Sequence, residues 1–159
     1  MLRLDPEQLE RTSASVADGV WIGGASAPIP GAVSVVVTLE ESASHIDRFG
    51  IIEIREPFPD SRWQPIDADR VSNALLAAQA YSDGSVLIRC RHGLNRSALI
   101  AALVLKGRGW SPETAIAAAR QARPGALSNP YFADLVWAWP RDPMRSSSRS
   151  ITQEADDGR

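Results

Sequence analysis

The chain has 159 residues, 44% apolar and 23% charged, the size and composition of one globular domain with a real core. A formal net charge of -2 supplies no general basic field for nucleic acid, and a single cysteine excludes an internal disulfide or a multi-thiolate metal site. No apolar run approaches the roughly 20 residues that span a bilayer, no hydrophobic signal core opens the chain, and one free thiol suits a reducing cytoplasm.

Val20-Trp21-Ile22-Gly23-Gly24 reads as a short strand ended by glycines. The β-branched run Val33 to Leu39 reads as a buried strand. Glu40 to Phe49 is predicted to form a short helix closed by Gly50, followed by a strand over Ile51 to Arg55. Pro57 to Pro65 carries too many prolines for either regular element. A helix capped by Asp67 or Asp69 then reaches Tyr81, with Val71, Ala74, Leu75 and Ala78 at helical spacing.

Asp83-Gly84 turns the chain into a strand from Val86 to Arg89. An apolar helix follows over Ser97 to Lys106, ended by Gly109. Ser111-Pro112-Glu113 starts another, running to about Arg120, and Pro130 begins a last one that Pro140 stops. From Arg141 onward the composition turns to serine, arginine and acid, so the expected domain is 1–140 with a disordered tail at 141–159. Strands alternating with helices predict an α/β fold with a central, mostly parallel sheet flanked by helices.

The chemistry gathers in Val86-Leu87-Ile88-Arg89-Cys90-Arg91-His92-Gly93-Leu94-Asn95-Arg96-Ser97. A strand ending at Cys90, a tight loop and a helix beginning near Arg96 make a cradle for phosphate. Backbone N–H groups of such a loop turn inward, and the helix N-terminus adds unpaired donors and its positive dipole end. That field favours the thiolate of a cysteine at the loop's start. Gly93 permits the sharp turn, and Ser97 can donate a hydroxyl hydrogen to the sulfur. Arg96, six residues after the cysteine, can hold two phosphate oxygens with its fork. Nucleophile, anion hole and clamp are thus present in one stretch.

Cys90-x5-Arg96-Ser97 resembles the signature loop of protein tyrosine phosphatases, and Cys90-x-x-Gly93-x-Asn95-Arg96-Ser97 is similar to its dual-specificity subgroup. Trp21-Ile22-Gly23, Arg123-Pro124 and Asn129-Pro130-Tyr131-Phe132 extend the likeness over residues 17–139. Rhodanese-type sulfurtransferases carry a loop one residue shorter between cysteine and arginine, so five intervening residues favour the phosphatase. The resemblance implies a dual-specificity-phosphatase-like fold and a cysteinyl-phosphate intermediate. It also implies hydrolysis without metal or other cofactor, and a general acid on an upstream loop. The substrate would be a phosphorylated protein (phosphotyrosine, with phosphoserine and phosphothreonine) or a small phosphoester.

The leaving oxygen needs a proton, and Asp60, Asp67 and Asp69 are the candidate donors. Asp60 lies in the proline-bounded loop where the family places its acid, whereas helix capping accounts for Asp67 and Asp69. The family's usual histidine before the nucleophile is here Arg89, which strand alternation turns away from the pocket. Arg91, His92, Gly93, Leu94 and Asn95 line the loop as candidate substrate contacts. His92-Gly93-Leu94-Asn95-Arg96 also resembles the RNA 5′-triphosphatase branch, the alternative substrate class. The chain's acidity argues against that branch. A cradle that binds phosphate without turnover is the non-enzymatic alternative.

Overall fold

A computed structural model describes residues 4–61 and 65–140, with the backbone alone at 65–67. The expected tail at 141–159 and the side chain of Asp67 lie outside the described residues. The chain opens with a five-residue helix, α1 (Pro6–Glu10), that the sequence reading did not anticipate. Asp5 and Gln8 close it reciprocally: Asp5 Oδ1 accepts from Gln8 N at 2.9 Å, and Gln8 Oε1 accepts from Asp5 N at 3.1 Å. Strand β1 (Ser13–Ala17), equally unanticipated, turns back as an antiparallel edge on β2 (Val20–Gly23). Its serines and alanines carry little strand preference, and pairing with β2 supplies what composition lacks.

Three parallel strands complete the sheet: β3 (Val35–Thr38), β4 (Ile52–Arg55) and β5 (Val86–Arg89), in the order β1-β2-β5-β3-β4. Four helices follow the strands in the chain or separate them: α2 (Pro65–Tyr81), α3 (Arg96–Gly107), α4 (Pro112–Ala122) and α5 (Pro130–Ala138). The expected mostly parallel α/β sheet is therefore present. Alternation divides its residues cleanly. Val20, Ile22, Val35, Val37, Val86 and Ile88 join the helices in the main core, whereas Val36 and Leu87 face a smaller cluster with Val33 and Trp21.

Helix α3 is buried from Ser97 to Lys106, which explains its nearly unbroken apolar sequence. Lys106, the only lysine, reaches the C-terminal end of α5 and donates to the carbonyls of Val136, Trp137 and Trp139 at 2.8, 3.0 and 2.5 Å. An ammonium suits that position because helix-end carbonyls lack partners and carry the negative dipole end. Lys106→Met is expected to lower the unfolding free energy by about 2 kcal/mol, read from urea denaturation.

Two element expectations fail. Residues 40–49 form no helix, because their carbonyls are used elsewhere. Arg55 Nη2 donates to Glu40, Glu41 and Ala43 O, and Arg89 Nη2 donates to Ser44 O. Helix α2 begins at Pro65, so neither Asp67 nor Asp69 caps it; proline is well suited to a first helical position.

Candidate active site

Strand β5 ends at the centre of the sheet, and the chain there enters the loop 90–95 that leads into α3. Five carbonyls of residues 89–95 are engaged by the surrounding structure. Those of Arg89, Arg91, Leu94 and Asn95 accept from the amides of Leu39, Ala25, Leu127 and Leu99 at 2.8–3.1 Å. The fifth, His92 O, accepts from Arg123 Nη2 at 2.6 Å. Turning those carbonyls out turns the intervening amides in, and none of the amides of residues 91–96 donates to a protein acceptor among the described residues. The result is a nest of N–H groups at the start of a buried helix.

Gly93 makes the turn with φ +66, and a Cβ there would come within 2.5 Å of the Gly23 backbone. Only glycine satisfies both the left-handed conformation and the close approach. Cys90 sits at the base of the loop, 3% exposed, with Sγ 3.3 Å from Ser97 Oγ. The thiol donates to that oxygen, and a thiolate would accept the hydroxyl hydrogen instead.

Arg96 is held rigidly. Its Nη1 donates to Leu39 O and Phe58 O at 3.2 and 3.1 Å, and Nη2 pairs with Glu40 Oε2 at 2.6 Å. Its buried Nε has no partner among the described residues, leaving a donor for an anion. Burial would raise the pKa of Glu40, but hydrogen bonds from Ser42 and Arg96 outweigh it and lower the value. The sequence reading has Glu40 only as the start of an expected helix, not as a partner of Arg96. An acid immediately after a buried strand beside the loop is the signal that would have found it.

Asp60 reaches the loop 90–95 directly. Its Oδ2 accepts from Asn95 Nδ2 at 3.1 Å, and its Oδ1 from Asn129 Nδ2 at 3.0 Å. Phe58 anchors this loop by an edge-on contact with Phe132 of α5, with ring centroids 6.1 Å apart. Asp69 is exposed on α2. Beside Arg96 a pocket of about 220 Å³ opens, bounded by Glu40, Pro57, Phe58, Pro59 and Arg70. At the other rim Arg91 Nε lies 3.3 Å from Glu10 Oε1, and His92 Nε2 lies 3.6 Å from the same oxygen. Leu94 is half-buried.

Behind the loop, Arg89 points to the face opposite Cys90. It donates to Thr38 Oγ1 at 2.8 Å, Ala25 O at 2.7 Å, Ser44 O at 2.8 Å and Glu53 Oε2 at 2.6 Å. Burial would raise the Glu53 pKa, but hydrogen bonds from Thr38, Arg89 and the Ile46 amide, with the Arg89 charge, bring it down to about 2. Arg123 crosses under the loop to Thr12 Oγ1 at 2.7 Å and Leu9 O at 3.0 Å. Burial lowers its pKa, and the negative charge of a Cys90 thiolate acts the other way.

The central, mostly parallel sheet with its flanking helices is the fold of the dual-specificity phosphatases, and this chain has that fold. A mouse putative dual-specificity phosphatase complexed with zinc tungstate matches with a TM-score of 0.69 at 22% identity, over 90% of this chain and 90% of that one. DUSP15 matches with a TM-score of 0.67 at 18% identity, over 92% of this chain and 96% of that one. Human DUSP28 gives 0.65 at 23% identity, over 78% and 89%. No family model matches the sequence, and no curated protein matches it.

Proposed function

We propose that residues 1–140 form a metal-independent, cysteine-dependent phosphatase of dual-specificity type acting on phosphate monoesters. The observation that carries this reading is the cysteine at the base of an anion nest, 3.3 Å from a serine hydroxyl, with the Arg96 Nε left as a donor. The Cys90 thiolate attacks phosphorus, the bond to the leaving oxygen breaks, and Asp60 protonates that oxygen. Loop amides and Arg96 hold the equatorial oxygens as charge spreads over them. Water then attacks the cysteinyl phosphate, Asp60 takes its proton, and the P–S bond breaks to return the thiolate. Ser97 stabilises that leaving thiolate by its hydroxyl.

Phosphorylated proteins or small phosphoesters are the substrates, and a reducing cytoplasm suits the free thiol. The Glu10 carboxylate beside Arg91 and His92 weakens the attraction of this rim for a polyphosphate, which favours monoesters over RNA 5′ ends. The test is turnover without added metal on an aryl phosphate, phosphotyrosine and phosphothreonine peptides, and 5′-triphosphate RNA. Hydrolysis of the aryl phosphate and peptides is expected. Tungstate binding without any hydrolysis would replace the enzyme with a phosphate-binding module. Asp60→Asn is expected to lower kcat/KM on a phosphothreonine peptide by about 100-fold, and by much less on an aryl ester with a good leaving group.

A further inference from the structure

We infer that Asn95 and Asn129 are positioning residues that clamp Asp60 over the phosphate loop, an inference that rests on Asp60 being the general acid. Both oxygens of Asp60 are held, one by each carboxamide, at 3.1 and 3.0 Å. The orientation of each amide is dictated by its other end. Asn95 Oδ1 accepts from the Asn129 backbone amide at 2.9 Å and from Ser128 Oγ at 3.3 Å, so its NH₂ must face Asp60. Asn129 Oδ1 accepts from Tyr131 N at 3.0 Å as the cap of α5, so its NH₂ must face Asp60 and Ser61 O.

Asn95 occupies the N-cap position of α3 yet makes no capping hydrogen bond. A side chain that ordinarily closes a helix start is drawn sideways, leaving the first-turn amides open to an anion. The segment that presents Asn129 is held in an uncommon conformation: Leu127 has φ 54, the only non-glycine residue with positive φ among the described residues. Its amide bonds Leu94 O at 2.8 Å, and Arg120 holds the carbonyls of Ala126 and Leu127 at 3.3 and 3.2 Å. Three separate elements, the acid loop, the phosphate loop and the α5 start, therefore meet on one carboxylate. Two N–H donors fix the direction in which this carboxyl group faces the loop, so that it meets the leaving oxygen in the first step and the attacking water in the second. A protonated carboxyl oxygen still has a lone pair for its amide, so the proton of the first step can be carried with both contacts in place.

Asn129→Ser separates this role from capping, because serine keeps an oxygen for Tyr131 N but loses the NH₂ group that reaches Asp60. The experiment compares kcat/KM on a series of phosphate esters of graded leaving-group pKa for wild type, Asp60→Asn, Asn129→Ser and the double variant, with thermal melting as the folding control. The clamp predicts that Asn129→Ser loses about 10-fold on alkyl esters and about 2-fold or less on the best aryl leaving group. It also predicts that Asn129→Ser adds nothing further in the Asp60→Asn background. A flat profile for Asp60→Asn overturns the acid assignment and the clamp with it. A steep Asp60→Asn profile with Asn129→Ser equal across all leaving groups, or additive with Asp60→Asn, overturns the clamp alone.

Discussion

Cys90→Ser is expected to reduce turnover by about 10,000-fold or more while leaving inorganic phosphate and tungstate binding intact. The exchange is nearly isosteric at a site only 3% exposed, so packing around it changes little. Chemistry changes greatly. A serine hydroxyl stays protonated at neutral pH, and no base among the described residues is hydrogen-bonded at this position; its neighbour at 3.3 Å in the wild type is the Ser97 hydroxyl. In the proposed mechanism binding depends on the loop amides and Arg96, whose own contacts to Leu39 O and Glu40 the substitution does not touch. Removing the thiolate's negative charge from the base of the cradle should if anything strengthen oxyanion binding. Calorimetric titration with phosphate measures the binding, and steady-state hydrolysis of an aryl phosphate measures the turnover. Acid-quenched wild-type protein should also carry a phosphate mass adduct that the serine variant lacks. Hydrolysis by Cys90→Ser within tenfold of wild type would sink the cysteinyl-phosphate mechanism.

Much of this centre was legible before any fold, because a loop between a strand and a helix is a local object. The spacing from Cys90 to Arg96 and the glycine between them suffice to describe the nest, and the structure has Gly93 at positive φ. Alternation along β5 likewise predicts that Arg89 and Cys90 part company. What local pattern cannot contain is the partner of each group. Glu40 meets Arg96 only because β3 lies beside β5, with Thr38 level with Arg89. Asn129 reads as a cap before Pro130, yet its second use at Asp60 depends on a chain path bent at Leu127. Residues 40–49 have a helical look because side chains suggest it. Two arginines, from the strands on either side of β3, then take the carbonyls a helix would need. Tertiary hydrogen bonding overrides propensity there.

The Arg89–Glu53 pair carries the second large effect, and its logic runs through charge rather than packing. Glu53→Ala is expected to destabilise the fold by about 3–5 kcal/mol, since it leaves a guanidinium with a 6%-exposed side chain without its carboxylate. Arg55 Nη1, 3.2 Å from the same oxygen, loses its anion too. The wild-type pair also has a pH signature. Glu53 titrates near 2 in the folded chain against an ordinary 4.5, so the folded state favours the ionised form. A carboxylate with a depressed folded pKa contributes its stability above the unfolded value and loses it as pH falls. The contribution should therefore be complete above about pH 5 and fade from about 4.5 toward 2, amounting to roughly 3 kcal/mol. Urea unfolding of wild type and Glu53→Gln across that range isolates it: the difference in free energy should be constant near neutrality and shrink on acidification. A difference that stays constant down to about pH 2 would remove the charge from the explanation. Because Arg89 also holds Ser44 O and Ala25 O, losing Glu53 should loosen the 40–46 segment that carries Glu40 to Arg96. Glu53→Gln is thus expected to weaken phosphate binding even at pH values where the protein remains fully folded.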